Sequence, residues 1–350
     1  MMGSAAMTAV VSCLVVGVLS AAPAGTQPQG KDNLVDVRKI WDRAEHNAFT
    51  GLVRFRGRWL CVFREGTGHV SHDGALRVIA SADGQAWSSL ALLKAPSPDL
   101  PDLRDAKITT TPDGRLMLSG AGANRKTKPF HHQTYAWFSA DGKTWTDPVA
   151  IGERDVWLWR STWHGRKAYG VGYGPPNLGF TRLYVSDDGR TFRTIVKRLF
   201  EKGFPNEASL VFDPDGTCHC LLRRDGKPNT AQWGTAGPPY TKWTWKDSGV
   251  VIGGPCVIRL DDGRYVAAAR RYDGGMRTSL MWVDARSGSL EEFLKLPSGG
   301  DTSYPGLVVH EGLLWVSYYS SHEGKTSIYL AKVKLPKRLP PDKKASQPTD

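Results

Sequence analysis

Gly300-Asp301-Thr302-Ser303-Tyr304-Pro305-Gly306-Leu307-Val308-Val309 runs into Glu311-Gly312 and then into a second apolar run, 313–318. Two apolar, β-branched runs around an acidic-Gly pair read as a β-hairpin. Tyr304 stands where that hairpin begins. Working outward, five earlier stretches have the same shape: 52–55 with 59–63, 108–111 with 116–118, 161–163 with 168–171, 209–212 with 218–222, and 257–260 with 265–268. Their turn glycines and the last one fall at 57, 114, 165, 216, 263 and 312, in steps of 57, 51, 51, 47 and 49. A hairpin repeating with a period near fifty is the signature of four-stranded blades. The expected fold is all-β, a six-bladed β-propeller over residues 33–335. The N-terminal strand 34–40 joins 327–333 in the last blade and closes the ring. No segment carries helical periodicity.

The bulk properties agree with a modular ring. At 350 residues the chain is long for one domain and short for two. Apolar residues make up 40% and charged residues 23%, an ordinary globular balance. The 13 tryptophans stand mostly beside turns, as aromatic braces of short strands do. The net charge of +12 lies partly in the last residues, and 336–350 form a basic, proline-rich tail expected to be disordered. No basic helix or RNP-like motif is present, which excludes nucleic acid as a partner and leaves a basic rim for an acidic sugar. Residues 5–22 are apolar and Ala22-Pro23-Ala24 follow, so 1–24 read as a signal peptide and the protein as exported. Uncleaved, the same run would anchor the chain in a membrane. Four cysteines remain after it, Cys61, Cys218, Cys220 and Cys256, and they read as buried free thiols. The chain is expected to be a monomer with no metal or cofactor.

A hairpin fixes directions: if the glycine turns mark one rim, first strands begin and second strands end at the other. Eight or nine residues before each turn glycine lie Ala48 and Phe49, Asp105, Trp157, Glu207, Pro255 and Tyr304. Seven residues after it lie Arg64, Ala121, Gly172, Arg223, Arg270 and Tyr319. Three arginines at one equivalent position, converging on a central pocket, would make an anion site. Asp102, Arg104 and Asp105 enter the second blade at this rim, and Trp157 and Trp159 the third.

A second motif interleaves with the hairpins. Ser81-Ala82-Asp83-Gly84-Gln85-Ala86-Trp87, Ser139-Ala140-Asp141-Gly142-Lys143-Thr144-Trp145 and Ser186-Asp187-Asp188-Gly189-Arg190-Thr191-Phe192 share a tight Asp-Gly turn with an aromatic ring beneath it. This motif is similar to the Asp box, and with it the chain resembles a divergent branch of the sialidase (neuraminidase) superfamily over most of residues 33–335. In that family the boxes join third to fourth strands away from the active site. The resemblance implies a retaining exo-glycosidase for a terminal acidic sugar. Asn206-Glu207 with Arg223-Arg224 resembles the segment carrying the base and a carboxylate-binding arginine. Thr302-Ser303-Tyr304 is similar to the segment carrying the tyrosine nucleophile. The loop Arg64-Glu65…His69…His72-Asp73-Gly74 resembles the one carrying the acid/base aspartate, so Asp73 takes that role, with Glu65, His69 and His72 as substitutes. Arg277 matches the third arginine of the family's triad, with Arg270 and Arg271 as rivals. The first arginine is missing, since its place reads His46-Asn47-Ala48-Phe49-Thr50. Either Arg64 or Arg104 stands in for it, or the substrate has no carboxylate.

The chemistry explains the residue types. A carboxylate nucleophile would meet like charge at an anomeric carbon that itself bears a carboxylate. A neutral phenol avoids this, but with a pKa near 10 it needs a neighbouring base, here Glu207. Asp73 would protonate the leaving oxygen and then activate water. Each residue also has a plain structural reading: Tyr304 as a channel tyrosine, Glu207 as an ion-pair partner of Arg223 or Arg224, and Asp73 as a turn. Two rival functions remain at this level: a glycosidase for another sugar, using Asp73, Glu65 and Glu207, and a carbohydrate-binding propeller without turnover.

Overall fold

The computed structural model describes residues 31–337 except 128 and 175–178. The leader 1–24 and most of the tail 336–350 lie outside the described residues. Six antiparallel four-stranded sheets follow one another, as the hairpin period requires. The first strands of the blades are His46–Phe55, Asp102–Thr110, Trp157–His164, Pro205–Phe212, Ile252–Arg259 and Thr302–His310. These strands pack against one another around the ring and form its inner wall. The sixth sheet takes its outer strand, Leu34–Trp41, from the N-terminal end of the described chain, paired with Ser327–Lys334. This pairing fastens the two ends together, so no blade edge is left open where the circle meets.

Apolar alternation places one cluster between each pair of neighbouring sheets, for example Leu60, Val62, Leu76, Val78, Leu103, Leu116 and Leu118 between the first two blades. The four cysteines are free and buried within these layers. Burial pushes the Cys61 thiol up to about 12, so it stays protonated and inert. The three Ser-x-Asp-Gly turns join third strands to fourth strands. In each, the Gly N–H donates to the Ser Oγ at 2.8 Å, and the following backbone N–H donates to the Asp Oδ1 at 2.8 Å. Gly84 illustrates why glycine is needed: its φ is 77°, and a Cβ there would stand 2.4 Å from Trp315 of the preceding blade. A groove of about 250 Å³ lies at this rim, lined by Thr111, Asp113, Trp163, Arg166 and Asp188 among others, away from Tyr304.

Candidate active site

Every first strand begins with the same irregularity. Pairing with the second strand slips by one residue between Ala48 and Gly51, Arg104 and Lys107, Leu158 and Ser161, Pro205 and Ala208, Gly253 and Cys256, and Ser303 and Gly306. Each slip is a β-bulge, two residues facing one, which re-aims side chains out of the strand's alternation. Phe49, Asp105, Gly254 and Tyr304 hold its first position with φ of 64°, 57°, 59° and 49°. The third and fourth blades place Trp159 and Asn206 there, with Arg160 and Glu207 second. Counting from the turn glycines therefore misplaces the third blade, where Trp159 rather than Trp157 occupies the bulge, because hairpins of unequal length shift the phase.

The bulges bring Tyr304 and Glu207 together. The Tyr304 hydroxyl donates to Glu207 Oε1 at 2.7 Å, and both residues are buried. Arg223, opposite the fourth bulge, donates to Glu207 Oε2 at 2.7 Å and to the Tyr304 oxygen at 3.0 Å. The Gly254 N–H donates to the same Oε2 at 2.8 Å. Burial alone would raise the Glu207 carboxyl, but the Arg223 charge and these hydrogen bonds hold it below its ordinary value. Burial, then the Glu207 charge, pushes the Tyr304 phenol well above 10, so it stays neutral until something takes its proton. Phe49 and Trp159 wall the ring with centroids at 5.2 and 5.9 Å. Arg270 lies over its face at 5.4 Å.

A second cluster flanks the first. Asp301 Oδ1 accepts from the Tyr319 hydroxyl at 2.8 Å and from Arg270 at 3.2 Å. Its Oδ2 meets His46 Nε2 at 3.0 Å and His69 Nδ1 at 2.6 Å. Burial opposes ionisation, yet the two histidines and Tyr319 hold this carboxyl far below the usual range. Beside the Tyr–Glu pair, Asp105 is buried with Arg104 as its nearest cation at 3.7 Å, and burial raises its carboxyl. Lys107 is buried against the Trp159 ring at 4.6 Å, and burial pushes its ammonium down to about 8.

The other candidates point elsewhere. Asp73 is exposed, and its carboxylate accepts from the Thr67 N–H and hydroxyl inside its own loop, so it caps a turn. Glu65 accepts from Trp41 at 2.6 Å and Arg77 at 2.8 Å, on the side of its blade toward Leu34–Trp41. Arg224 pairs with Asp247 at 2.8 Å, Arg271 with Asp273 at 3.0 Å and Arg277 with Glu292 at 2.9 Å, all toward outer strands and loops. The parity of a strand forbids both members of Arg223-Arg224 or Arg270-Arg271 from facing one side. The pocket receives Arg223 and Arg270. Arg64 is fully buried and clamped by Asp102 at 2.7 Å, Ser71 at 2.7 Å and the Gly68 carbonyl at 2.8 Å, so it fastens the loop after its strand. Arg104 pairs with Asp102 at 2.9 Å, bonds the His69 carbonyl at 2.6 Å and covers Phe49. Asp301, His46 and Lys107 were not singled out from sequence. Asp301 stands three residues before Tyr304, and an acidic residue beside a strand's first bulge was the available signal.

No family model and no curated protein sequence matches the chain. Solved structures do resemble it. A protein of unknown function from Dyadobacter fermentans is 20% identical with a TM-score of 0.75, covering 87% of this chain and 99% of that one. An α-L-arabinofuranosidase mutant of Fusarium graminearum, in complex with an iminosugar inhibitor, is 14% identical with a TM-score of 0.68, covering 86% and 98%. The NanB sialidase of Streptococcus pneumoniae, as a point mutant, is 12% identical with a TM-score of 0.63, covering 87% and 70%. Identities this low speak for the fold: the chain has the six-bladed propeller that glycoside hydrolases, sialidases among them, also have.

Proposed function

We propose that the protein is a retaining exo-glycosidase whose nucleophile is Tyr304 and whose base is Glu207. The observation that carries this reading is the 2.7 Å hydrogen bond between them, inside the ring, with Arg223 touching both. As Tyr304 Oη bonds the anomeric carbon, its proton passes to Glu207 and the aglycone departs. Arg223 stabilises the negative charge wherever it sits along that path, on carboxylate or phenolate. Arg270 and Lys107 add positive charge beside the Tyr–Glu pair, which supports a terminal acidic sugar as substrate. A neutral phenol in place of a carboxylate nucleophile has its greatest advantage with such a sugar.

A second reading, a neutral sugar such as an α-L-arabinoside, has its own support. Four arginines brought toward the site already face a carboxylate: Arg223 faces Glu207 and Asp225, Arg270 faces Asp301, and Arg64 and Arg104 face Asp102. A guanidinium so engaged has little left to clamp a substrate carboxylate. An α-L-arabinofuranosidase and an arabinanase are also among the structural neighbours.

A hydrolysis screen decides between them: aryl α-sialosides, aryl uronides and aryl α-L-arabinofuranosides, with Tyr304→Phe in parallel. Release from acidic glycosides that vanishes in the variant is expected. Release from arabinosides alone selects the second reading. No release from any glycoside, with an analogue still bound, makes the protein a binding module.

A further inference from the structure

An exo-glycosidase must also protonate the oxygen it expels, and Asp73, turned into its own loop, does not reach the site. We propose that His69, held by Asp301, is that proton donor and later the base that activates water; the proposal rests on the glycosidase reading. Its loop leaves the first blade's second strand and returns over the rim. Arg64 anchors the loop at Gly68 and Ser71, and Arg104 holds the His69 carbonyl at 2.6 Å. The imidazole meets Phe49 edge-on at 5.3 Å, and Phe49 meets Tyr304 at 5.2 Å, so it stands one ring away from the nucleophile.

The protonation pattern follows from donors and acceptors. An ionised carboxylate only accepts, so the 2.6 Å contact requires the proton on His69 Nδ1. That leaves Nε2 free to carry the second proton, with Asp301 stabilising the imidazolium. Asp301 is itself fixed by Tyr319, Arg270 and His46, so the dyad is rigid at its inner end. Location separates His69 from Asp105, the other uncommitted acid. In an exo-acting site the sugar fills the closed end and the aglycone leaves through the open one. The His69 side chain is 47% exposed, whereas Asp105 is 6% exposed beside the buried Tyr–Glu pair. In the first step the His69 Nε2 proton goes to the glycosidic oxygen as its bond to C1 breaks and the Tyr304 bond forms. In the second, Nε2 takes a proton from the attacking water, the Tyr304–C1 bond breaks, and Glu207 returns its proton to the phenol.

His46, His69 and Asp301 also group as metal ligands do. Two features speak against that role. Buried His46 Nδ1 has no partner among the described residues, so the outer hydrogen bond that orients a metal-bound histidine is missing. Arg270 also places a cation on the same carboxylate.

The test is a leaving-group series on whichever aryl glycoside the wild-type protein hydrolyses, with phenols of pKa from about 4 to about 10, run on His69→Gln, Asp301→Asn and Asp105→Asn. Loss of a general acid costs about 10²- to 10⁴-fold on the poorest leaving groups and little on the best. His69→Gln should show that dependence, and Asp301→Asn a weaker form of it. An equal loss across the phenols overturns the proposal, as does the dependence appearing in Asp105→Asn instead. So does activity abolished by a chelator and restored by a divalent cation. Wild-type silence on every glycoside removes the glycosidase reading and this proposal together; a wild-type signal with a flat His69→Gln series removes only the proposal.

Discussion

Replacing Arg223 by methionine should cost about 3 kcal/mol of stability at pH 7 and much less near pH 4. The Glu207 side chain is 8% exposed and that of Arg223 16%, so neither ion is solvated enough to stand alone. Stranding one member of such a pair typically costs about 3–5 kcal/mol. Two donors would remain on the carboxylate, the Tyr304 hydroxyl at 2.7 Å and the Gly254 N–H at 2.8 Å, which puts the estimate at the lower end. Arg223 also loses Asp225, but that partner is half exposed and contributes little. Glu207→Gln keeps the shape and the Gly254 hydrogen bond, turns the Tyr304 contact round so that the amide donates to the phenol oxygen, and leaves Arg223 its Asp225 partner, so it should cost about 1 kcal/mol, and the double variant about 2, a coupling near 2 kcal/mol. In the wild type the folded carboxyl lies below its ordinary value. Its stabilisation is therefore present above about pH 4.5 and fades as pH falls through the folded pKa. In Arg223→Met burial dominates and raises it, so stability falls as pH climbs through about 4.5 toward that raised value. Denaturant unfolding followed by tryptophan fluorescence at the two pH values measures both effects. A loss under about 1 kcal/mol at pH 7, or a coupling under about 0.5, would mean that Glu207 is solvated and not locked to its arginine.

Tyr304→Phe should fold normally, losing about 1 kcal/mol because Glu207 keeps its other two donors, while turnover falls by about 10³-fold or more, the scale on which loss of a nucleophile is felt. Thermal midpoint and rate, measured together, check it. Gly254→Ala would set a Cβ 2.7 Å from two Tyr304 ring carbons at a φ of 59°. The ring must shift from Glu207, so turnover should drop at least about tenfold at a stability cost of about 1–3 kcal/mol; an unchanged rate would show that the ring has room. Lys107, near 8 when folded against about 10.4 unfolded, makes the unfolded chain bind more protons between those values. Wild-type stability should therefore rise from pH 8 to 10 by about 2 kcal/mol, and Lys107→Met should abolish that rise.

The propeller is legible in the chain because its signals are local. Each hairpin needs its own glycine turn, and the Ser-x-Asp-Gly turns satisfy their own backbone within three residues. The closing strand is legible too, since among the described residues no strand follows Ser327–Lys334 and Leu34–Trp41 has no sheet of its own. The arginine doublets are not resolved by motif. Arg223 and Arg224 are adjacent, and only the pairing register says that the first faces Glu207 and the second Asp247. Asp73 fails for a related reason, because His-Asp-Gly is a turn wherever it occurs and nothing local states which way its loop folds. Asp301 is not legible as a site residue because its partners, His46 and His69, are 255 and 232 residues away. Contacts that distant leave no trace in spacing.

Repetition and function meet in the bulge. A regular first strand would send alternate side chains into the sheet-to-sheet layers and give the rim only what parity allows. One extra residue per blade breaks that parity at the same depth six times, so six side chains become free to specialise. The backbone bears the cost: Phe49, Asp105 and Tyr304 hold a left-handed conformation worth roughly 1–3 kcal/mol each in strain, as non-glycine residues at functional sites do. Gly254 holds that conformation without such strain, and it is the one first-position residue whose backbone N–H binds Glu207. Its missing side chain is what admits the Tyr304 ring. The fifth blade thus contributes a space and a hydrogen bond, the fourth Glu207 and Arg223, and the sixth Tyr304, the proposed nucleophile. Substitutions at any of these three bulges should disturb turnover before they disturb the ring, because the layers between sheets draw mainly on residues before and after the bulges, such as Ile252, Ala208, Cys256 and Leu307.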